Sequence, residues 1–350
     1  MSTDLNTQLD EVIDLCKEAV RGDRHWMAVI ALHEVFRRLY PVDPHYRDRP
    51  NRTSVQEVSD VLSIQADWLR SSAGAIQPYA LQSMLDALPS DAAELEERTH
   101  RLYGGLWNRF DPDHILSEAK RLLDERMLTN GIQLSDLEGK TALDIGCGSG
   151  RFTIGLQQYG CDATGVDMGE DGIGFARKAV DRLALKDIKF QQQNVLDLSF
   201  EQGAFDFILC NGVLHHTRDW KRGVSELRRV LKPGGRAFLY LYATGGIFWT
   251  ARKRMREVFA MIPRAYATRV MELIGLPKNR FIFMDSWYVP IEDHLGRDEL
   301  EQQLTSVGFS SFKKTEQGGS EFDLDRALRE FGDDGPMLFG EGEHRYVLEG

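Results

Sequence analysis

Thr141-Ala-Leu-Asp-Ile-Gly-Cys-Gly-Ser-Gly150, closed by Gly165-Val-Asp167, decides the fold of this chain. Apolar Ala142, Leu143 and Ile145 predict a buried strand. Gly146, Gly148 and Gly150 then let the backbone bend and approach a ligand where a side chain would collide. A helix over 151–159 is ended by Gly160, and 161–166 is the next strand, so Asp167 falls at its carboxyl end. A carboxylate at that position accepts both hydroxyls of a ribose, which points to a nucleoside-containing cofactor. The glycine spacing is G-x-G-x-G, not the G-x-G-x-x-G that aims a helix N-terminus at a pyrophosphate. Asp144, two residues before the first glycine, is poorly placed for a pyrophosphate and suits a cationic ligand. The ammonium and sulfonium of S-adenosyl-L-methionine meet that demand, so it is the expected cofactor, in preference to a nicotinamide dinucleotide.

Outward from this stretch, strands are expected at 141–145, 161–166, 188–192, 205–210 and 236–242, with helices between them. Such alternation demands a parallel sheet covered by helices on both faces. Strands are also expected at 309–317 and 344–348, the first led by a helix over 297–307 that Gly308 ends. Asp111-Pro112 opens a helix with an acceptor at the cap and proline in the first turn; Ile115, Ala119, Leu122 and Leu123 give it an apolar face.

LDIGCGSGRF (143–152), GVDMG (165–169), FDFILCNGVLHHTRD (205–219) and LKPGGRAFLYLY (231–242) occur in the order and spacing of class I S-adenosylmethionine-dependent methyltransferases. The chain resembles the branch containing ubiquinone/menaquinone-type and natural-product methyltransferases, clearly over 137–242. The resemblance implies an α/β, Rossmann-like class I methyltransferase sheet, mostly parallel, ending in an antiparallel hairpin. It also implies an acceptor pocket built from an insertion after the fifth strand.

In an open α/β sheet the ligand lies at the carboxyl ends of the strands. Gly146, Gly148 and Gly150 would offer backbone to the methionine moiety, and Asp144 a carboxylate to its ammonium, directly or through water. Asp167 takes the ribose, and Met168 packs on the adenine face or serves as core filler. Asn194 stands where similar enzymes commonly carry an acidic acceptor for the adenine amino group, with the Val195 backbone N–H for a ring nitrogen. An amide oxygen makes that contact without charge assistance, and Asp197 is a rival for it. Asn211 offers its carbonyl toward the ammonium. Lys232-Pro-Gly-Gly235 is a turn before the fifth strand and carries no expected chemistry.

Methyl transfer from a sulfonium is an in-line displacement, so the protein mainly aligns the reactants and excludes water. A base is needed only where the acceptor must lose a proton. His215 and His216 are the candidates, His216 the better, the alternative being that either merely bonds to backbone or packs. No metal is expected: adjacent histidines do not share a helix face, and no carboxylate stands at ligand spacing.

At 350 residues and 42% apolar content the chain suits a core domain plus an added segment. Its net charge of −11 disfavours nucleic acid as a partner. Residues 1–10 are polar and no run is long enough to span a membrane. Cys16, Cys147, Cys161 and Cys210 are scattered, consistent with a reducing, cytoplasmic location. Residues 1–95 read as a helical extension: Leu9, Val12, Ile13, Cys16 and Val20, then Met27, Ile30, Ala31, Val35 and Leu39, then Val55, Val58, Leu62, Gln65 and Leu69 follow helical spacing. Their apolar faces need a partner: their own bundle, the core domain or a second subunit in a homodimer. Residues 96–350 form the cofactor-binding domain, with 245–290 as a helical lid insertion. That insertion carries Arg252, Lys253, Arg254, Arg256, Arg264, Arg269, Lys278 and Arg280 against Glu257, Glu272 and Asp285, among aromatic residues. It reads as a cationic lid for an acidic acceptor, as the solvated face of a helix, or as a peripheral membrane contact. Tyr103 and Trp107 are candidates to fold over the cofactor. A small organic acceptor is the leading expectation. An RNA or protein methyltransferase and a non-catalytic S-adenosylmethionine-binding module are the alternatives.

Overall fold

The computed structural model describes residues 4–40, 54–74, 112–185, 188–274, 283, 286–315 and 324–350. Asp111, Tyr103, Trp107, Lys278, Arg280 and Asp285 lie outside the described residues. In chain order the helices are α1 (Leu5–Arg21), α2 (His25–Leu39), α3 (Val55–Ser71), α4 (Pro112–Met127), α5 (Arg151–Gln158), α6 (Glu170–Arg182) and α7 (Trp220–Val230). They continue with α8 (Gly246–Phe259), α9 (Arg264–Leu273), α10 (Arg297–Ser306), α11 (Leu324–Glu330) and α12 (Asp334–Phe339). The strands are β1 (Thr141–Ile145), β2 (Asp162–Asp167), β3 (Lys189–Gln192), β4 (Phe205–Asn211), β5 (Leu231–Tyr242), β6 (Ser311–Lys314) and β7 (Glu343–Glu349).

The chain divides into two compact units. One comprises Met1–Ala92, Thr244–Val289 and Ala327–Gly342; the other comprises Ala93–Ala243, Pro290–Arg326 and Glu343–Gly350. In the second unit the seven strands form one sheet in the order β3-β2-β1-β4-β5-β7-β6. β1 to β5 are mutually parallel, and β7 runs antiparallel to both β5 and β6. This is the mostly parallel, Rossmann-like sheet with an antiparallel C-terminal hairpin that the resemblance implies. Side chains alternate across it. Leu143, Ile145, Ile208, Cys210 and Leu239 pack with Val224 and Leu227 of α7 and Leu300 and Leu304 of α10. Ala142, Phe207, Leu209 and Phe238 pack with Leu123 and Met127 of α4 and Phe152 and Leu156 of α5. Apolar residues on both faces are what force helices onto both sides of the sheet.

The first unit is helical. Leu9, Val12, Ile13 and Cys16 of α1, Met27, Val35 and Phe36 of α2, and Val58 and Leu62 of α3 are buried, as the spacing predicts. Ser54 caps α3 with a reciprocal Glu57 bond, each satisfying a backbone N–H that the helix start leaves unpaired. The division differs from the expected split into 1–95 and 96–350. Segments 244–289 and 327–342 join the N-terminal helices in one body, because α8 and α9 carry apolar faces of their own. Met255, Val258, Phe259 and Tyr266 are buried, and Phe259 stacks on Trp287 at 4.1 Å. Polar ties reinforce this unit: Lys17 pairs with Glu257 at 2.7 Å, and Trp249 Nε1–H donates to the Gly342 carbonyl at 3.1 Å. Among the described residues no helix is long and apolar enough to cross a membrane.

Candidate cofactor and acceptor site

The strand order changes direction between β1 and β4, with β2 and β3 to one side and β5 to the other. Ligands in open α/β sheets lie outside the carboxyl ends at such a switch point. Gly146 leaves β1 with φ 68°, and its N–H donates to Val166 O at 2.8 Å. A Cβ there would overlap the Val213 methyls on the loop after β4, so the two loops meet only because residue 146 has no side chain. Gly150, with φ 80°, starts α5, and a Cβ on it would sit 2.7 Å from Phe190 Cζ. The floor of the crevice is therefore bare backbone.

Asp167 ends β2 half-buried, with both oxygens fixed by the chain. Oδ2 accepts the Gly148 N–H at 2.9 Å and Oδ1 the Gly169 N–H at 2.8 Å. An ionised carboxylate has about four acceptor directions, so this brace is compatible with ribose hydroxyls. Met168 is half-buried beside it, and its carbonyl accepts Gln192 Nε2 at 2.9 Å, tying the ends of β2 and β3 together.

Asp144 lies beneath the glycine loop, 2% exposed, and accepts Thr153 Oγ1 at 2.7 Å. Burial pushes its carboxyl up to about 7; the Thr153 bond opposes this, while the nearby Asp167 charge adds to it. Two carboxylates under one loop repel a pyrophosphate and favour a cation, so the donor set fits S-adenosylmethionine. Asn194 holds a turn instead of pointing its amide oxygen freely outward: Oδ1 accepts the Leu196 N–H at 2.9 Å. Val195 is buried in the sheet core and Asp197 is exposed.

A cation that sequence reasoning missed stands at the end of β4. Arg126, in the last turn of α4, donates from Nη1 to Asn211 Oδ1 at 2.6 Å, and its guanidinium lies 5.5 Å from the Phe152 ring centre. Burial and the nearby Arg345 lower its pKa, but a guanidinium stays charged near neutrality. Nothing local marks it; only the fold brings residue 126 to residue 211.

The two adjacent histidines diverge. His215 is fully buried, its Nδ1 accepts the Tyr242 N–H at 3.3 Å, and its ring stacks on Tyr242 at 3.7 Å. His216 is half-buried and donates from Nδ1–H to the Ile291 carbonyl at 2.8 Å, which puts the ring's lone pair on Nε2. The strap 290–295 that supplies this carbonyl is sewn across the strand ends. Asp293 N–H donates to His215 O at 2.8 Å, Leu295 N–H to Tyr242 O at 3.2 Å, and His344 Nε2–H to Leu295 O at 2.7 Å. It brings a second unanticipated group: His294 Nε2 lies 2.9 Å from Glu292 Oε1, and the Glu292 side chain is wholly buried. Its one sequence signal is the run Glu292-Asp293-His294, two acids and an imidazole directly after the aromatic-rich insertion.

Among the described residues, several basic side chains of 245–290 are engaged inside the helical unit. Arg254 pairs with Asp10 at 3.3 Å and Glu257 at 3.2 Å, Arg269 pairs with Glu272 at 3.0 Å, and Arg252 is buried, while Lys253 is exposed. Among the described residues no group of three or more His, Cys, Asp or Glu side chains is arranged to hold a metal ion.

Residues 143–239 match a family model described as a methyltransferase domain. A ubiquinone biosynthesis O-methyltransferase of Coxiella burnetii is 32% identical over 38% of this chain and 54% of its own length. A demethylmenaquinone methyltransferase of Lactococcus lactis is 26% identical over 64% of this chain and 86% of its own. The chain thus spans about half the length of the ubiquinone-type relatives it matches. Among solved structures, a putative S-adenosyl-L-methionine-dependent methyltransferase of Methanococcus maripaludis is 16% identical, covering 74% of this chain and 96% of its own, with a TM-score of 0.42.

Proposed function

We propose that this chain, a class I S-adenosylmethionine-dependent methyltransferase through the domain matched at residues 143–239, transfers a methyl group to a small organic acceptor. The observation that carries the reading is Asp167, held at the end of β2 by the Gly148 and Gly169 N–H groups beside a glycine loop floored by backbone. Asp167 takes the ribose hydroxyls, with Met168 against the adenine. The loop 146–150 cradles the amino-acid moiety, and Asp144 and the Asn211 carbonyl favour its ammonium. Arg126 faces the carboxylate end of the same moiety. Asn194 and Val195 flank the adenine at the end of β3. Bound there, the cofactor would supply a methyl group activated by its sulfonium for in-line displacement by the acceptor.

The chain's own contribution is alignment and exclusion of water. His216, with Nδ1–H pinned on Ile291, presents Nε2 as a hydrogen-bond acceptor to the incoming group, and His215 with Tyr242 forms the wall behind it. One named relative is a ubiquinone biosynthesis O-methyltransferase and another a demethylmenaquinone methyltransferase, which supports a hydroxylated or quinol-type ring as the acceptor. An acidic group on the acceptor draws little support from the 245–290 segment, whose Arg254 and Arg269 pair with acids of their own unit.

Incubation with methyl-labelled S-adenosylmethionine and a panel of phenols and quinols, with and without a carboxylate, tests the reading. Acceptor-dependent release of S-adenosylhomocysteine with label in the ring product is expected. Failure to bind either form of the cofactor overturns it.

A further inference from the structure

The two carboxyls at the floor of the cofactor crevice are held in opposite ways. Asp167 is half-buried, and its oxygens accept the Gly148 N–H at 2.9 Å and the Gly169 N–H at 2.8 Å. Donated N–H groups favour an ionised carboxylate, so of the two Asp167 is the one suited to carry charge. Asp144 is 2% exposed, stands level with Gly165 in the β1–β2 register, and accepts Thr153 Oγ1–H at 2.7 Å. That bond is built into the sheet. A Cβ on Gly165 would lie 2.6 Å from Thr153 Oγ1, so the hydroxyl fills room that only a glycine in β2 leaves.

The groups facing Asp144 supply little to balance a charge. Burial pushes its carboxyl up to about 7, the Thr153 bond opposes this, and the Asp167 charge adds to it. Arg151, in the first turn of α5, is a cation that acts on it, and the weakest of these influences; its guanidinium lies 5.2 Å from the Phe152 ring centre. Cys147 of the glycine loop and Cys210 of β4 also face it, and burial raises both thiols, which stay neutral near pH 7. A buried acid in such surroundings ionises when a cation arrives.

We propose that Asp144 couples cofactor binding to proton release: protonated and bonded to Thr153 while the crevice is empty, it gives its proton to solvent as the donor's ammonium seats beside it, with Thr153 as the positioning residue. The inference deepens the cofactor assignment made above and rests on it. In the step, the oxygen–hydrogen bond of the carboxyl breaks, its electron pair stays on oxygen as the carboxylate charge, and the proton leaves to water. The ammonium keeps its protons, so a neutral buried acid is exchanged for a carboxylate–ammonium pair. A hydroxyl donates to a neutral or an ionised carboxyl alike, so Thr153 holds the side chain in place while the proton comes and goes.

The sign follows from linkage. Binding lowers the Asp144 pKa below its free value, so affinity rises with pH up to about 7 and levels off above it. Below that break the rise should approach about tenfold per pH unit. The ligand class selected is a nucleoside thioether or sulfonium carrying an ammonium. A nucleoside thioether without the amino-acid end has nothing to draw the proton away.

The test is isothermal calorimetry of S-adenosylhomocysteine on the full chain in two buffers of unequal ionisation enthalpy, whose difference in heat counts the protons exchanged. Release should be close to about one proton per site at pH 6 and well under about half at pH 8. 5′-Methylthioadenosine should bind without it. Asp144→Asn should abolish the release and flatten the pH profile of affinity. Thr153→Val removes a hydroxyl that favours the charged form and should move the break to higher pH, and Thr153→Ser should restore it. Binding of S-adenosylhomocysteine with no proton released at pH 6 overturns the proposal, as does a release undiminished in Asp144→Asn. A break unmoved by Thr153→Val overturns the part given to Thr153. If the variants do not fold, the wild-type proton count at pH 6 decides alone. Absence of S-adenosylhomocysteine binding would defeat the methyltransferase reading itself, whereas binding without proton release leaves that reading standing and defeats this inference only.

Discussion

The parallel sheet has two ends, and each keeps its carboxylates in a different condition. At the amino end, Asp206 Oδ2 accepts the Thr141 N–H at 3.0 Å, Thr141 Oγ1 at 2.8 Å and Lys232 Nζ at 2.8 Å, locking the starts of β1, β4 and β5 together. Burial works against its charge, but the Lys232 and Thr141 bonds outweigh it and bring the carboxyl to about 2. At the carboxyl end, Asp144 has one side-chain partner, Thr153, and is pushed up to about 7. Asp167 is braced by the Gly148 and Gly169 N–H groups. The amino end spends its charges on holding strands together, whereas the carboxyl end stores negative charge that a cationic ligand can satisfy. A buried carboxyl displaced from its ordinary pKa at a strand's carboxyl end marks a candidate ligand site.

The largest effect separating the two ends concerns Asp144. Its folded carboxyl lies at about 7 against an ordinary 3.8, so the unfolded chain ionises first. The group therefore costs stability progressively as pH rises through that interval and nothing below it, a loss of up to ~4 kcal/mol. In urea melts of ligand-free protein, Asp144→Asn should gain on wild type between pH 4 and 8; parallel pH profiles would contradict this. Next comes Asp167→Ala, which removes the loop brace and, with it, the proposed ribose contacts. By calorimetry, affinity for S-adenosylhomocysteine should fall about 100-fold.

Asp206→Asn, at the other end, should leave that affinity within about twofold while lowering stability by ~1–2 kcal/mol at pH 7, screening included. Because the folded carboxyl is depressed to about 2, the wild-type advantage is full above the ordinary carboxylate range and disappears as pH falls through that value. A stability gap persisting at pH 2 would break the comparison. The smallest effect belongs to Lys189 and Asp162, paired at 2.9 Å at the amino ends of β3 and β2 with both side chains more than half exposed. Lys189→Ala should change the melting free energy by under ~0.5 kcal/mol.

The glycine loop, Asp167 and the sheet were legible because local spacing encodes them: strand alternation, glycines at positive φ and a carboxylate at a strand end. The buried faces of α1 to α3 were legible through their 3.6-residue period. Chemistry assembled by topology was not. Arg126 meets Asn211, and Ile291 and Asp293 meet the loop after β4, across stretches with no shared period. The joining of 244–289 and 327–342 to the N-terminal helices was hidden for the same reason, since an amphipathic face announces that it will be covered but not by what. Lys232-Pro-Gly-Gly235, read as a mere turn, proves to anchor Asp206. His216, the better candidate in the sequence, and His215 differ in surroundings for a reason seen only once Tyr242 and Ile291 are placed.

Titration of S-adenosylhomocysteine and of NADH into the full chain by isothermal calorimetry tests the central claim most directly, that the crevice after β1 receives a cationic methyl donor. Saturable binding of S-adenosylhomocysteine, with no heat from NADH, is the predicted result. Tight binding of NADH with none of the thioether would contradict it.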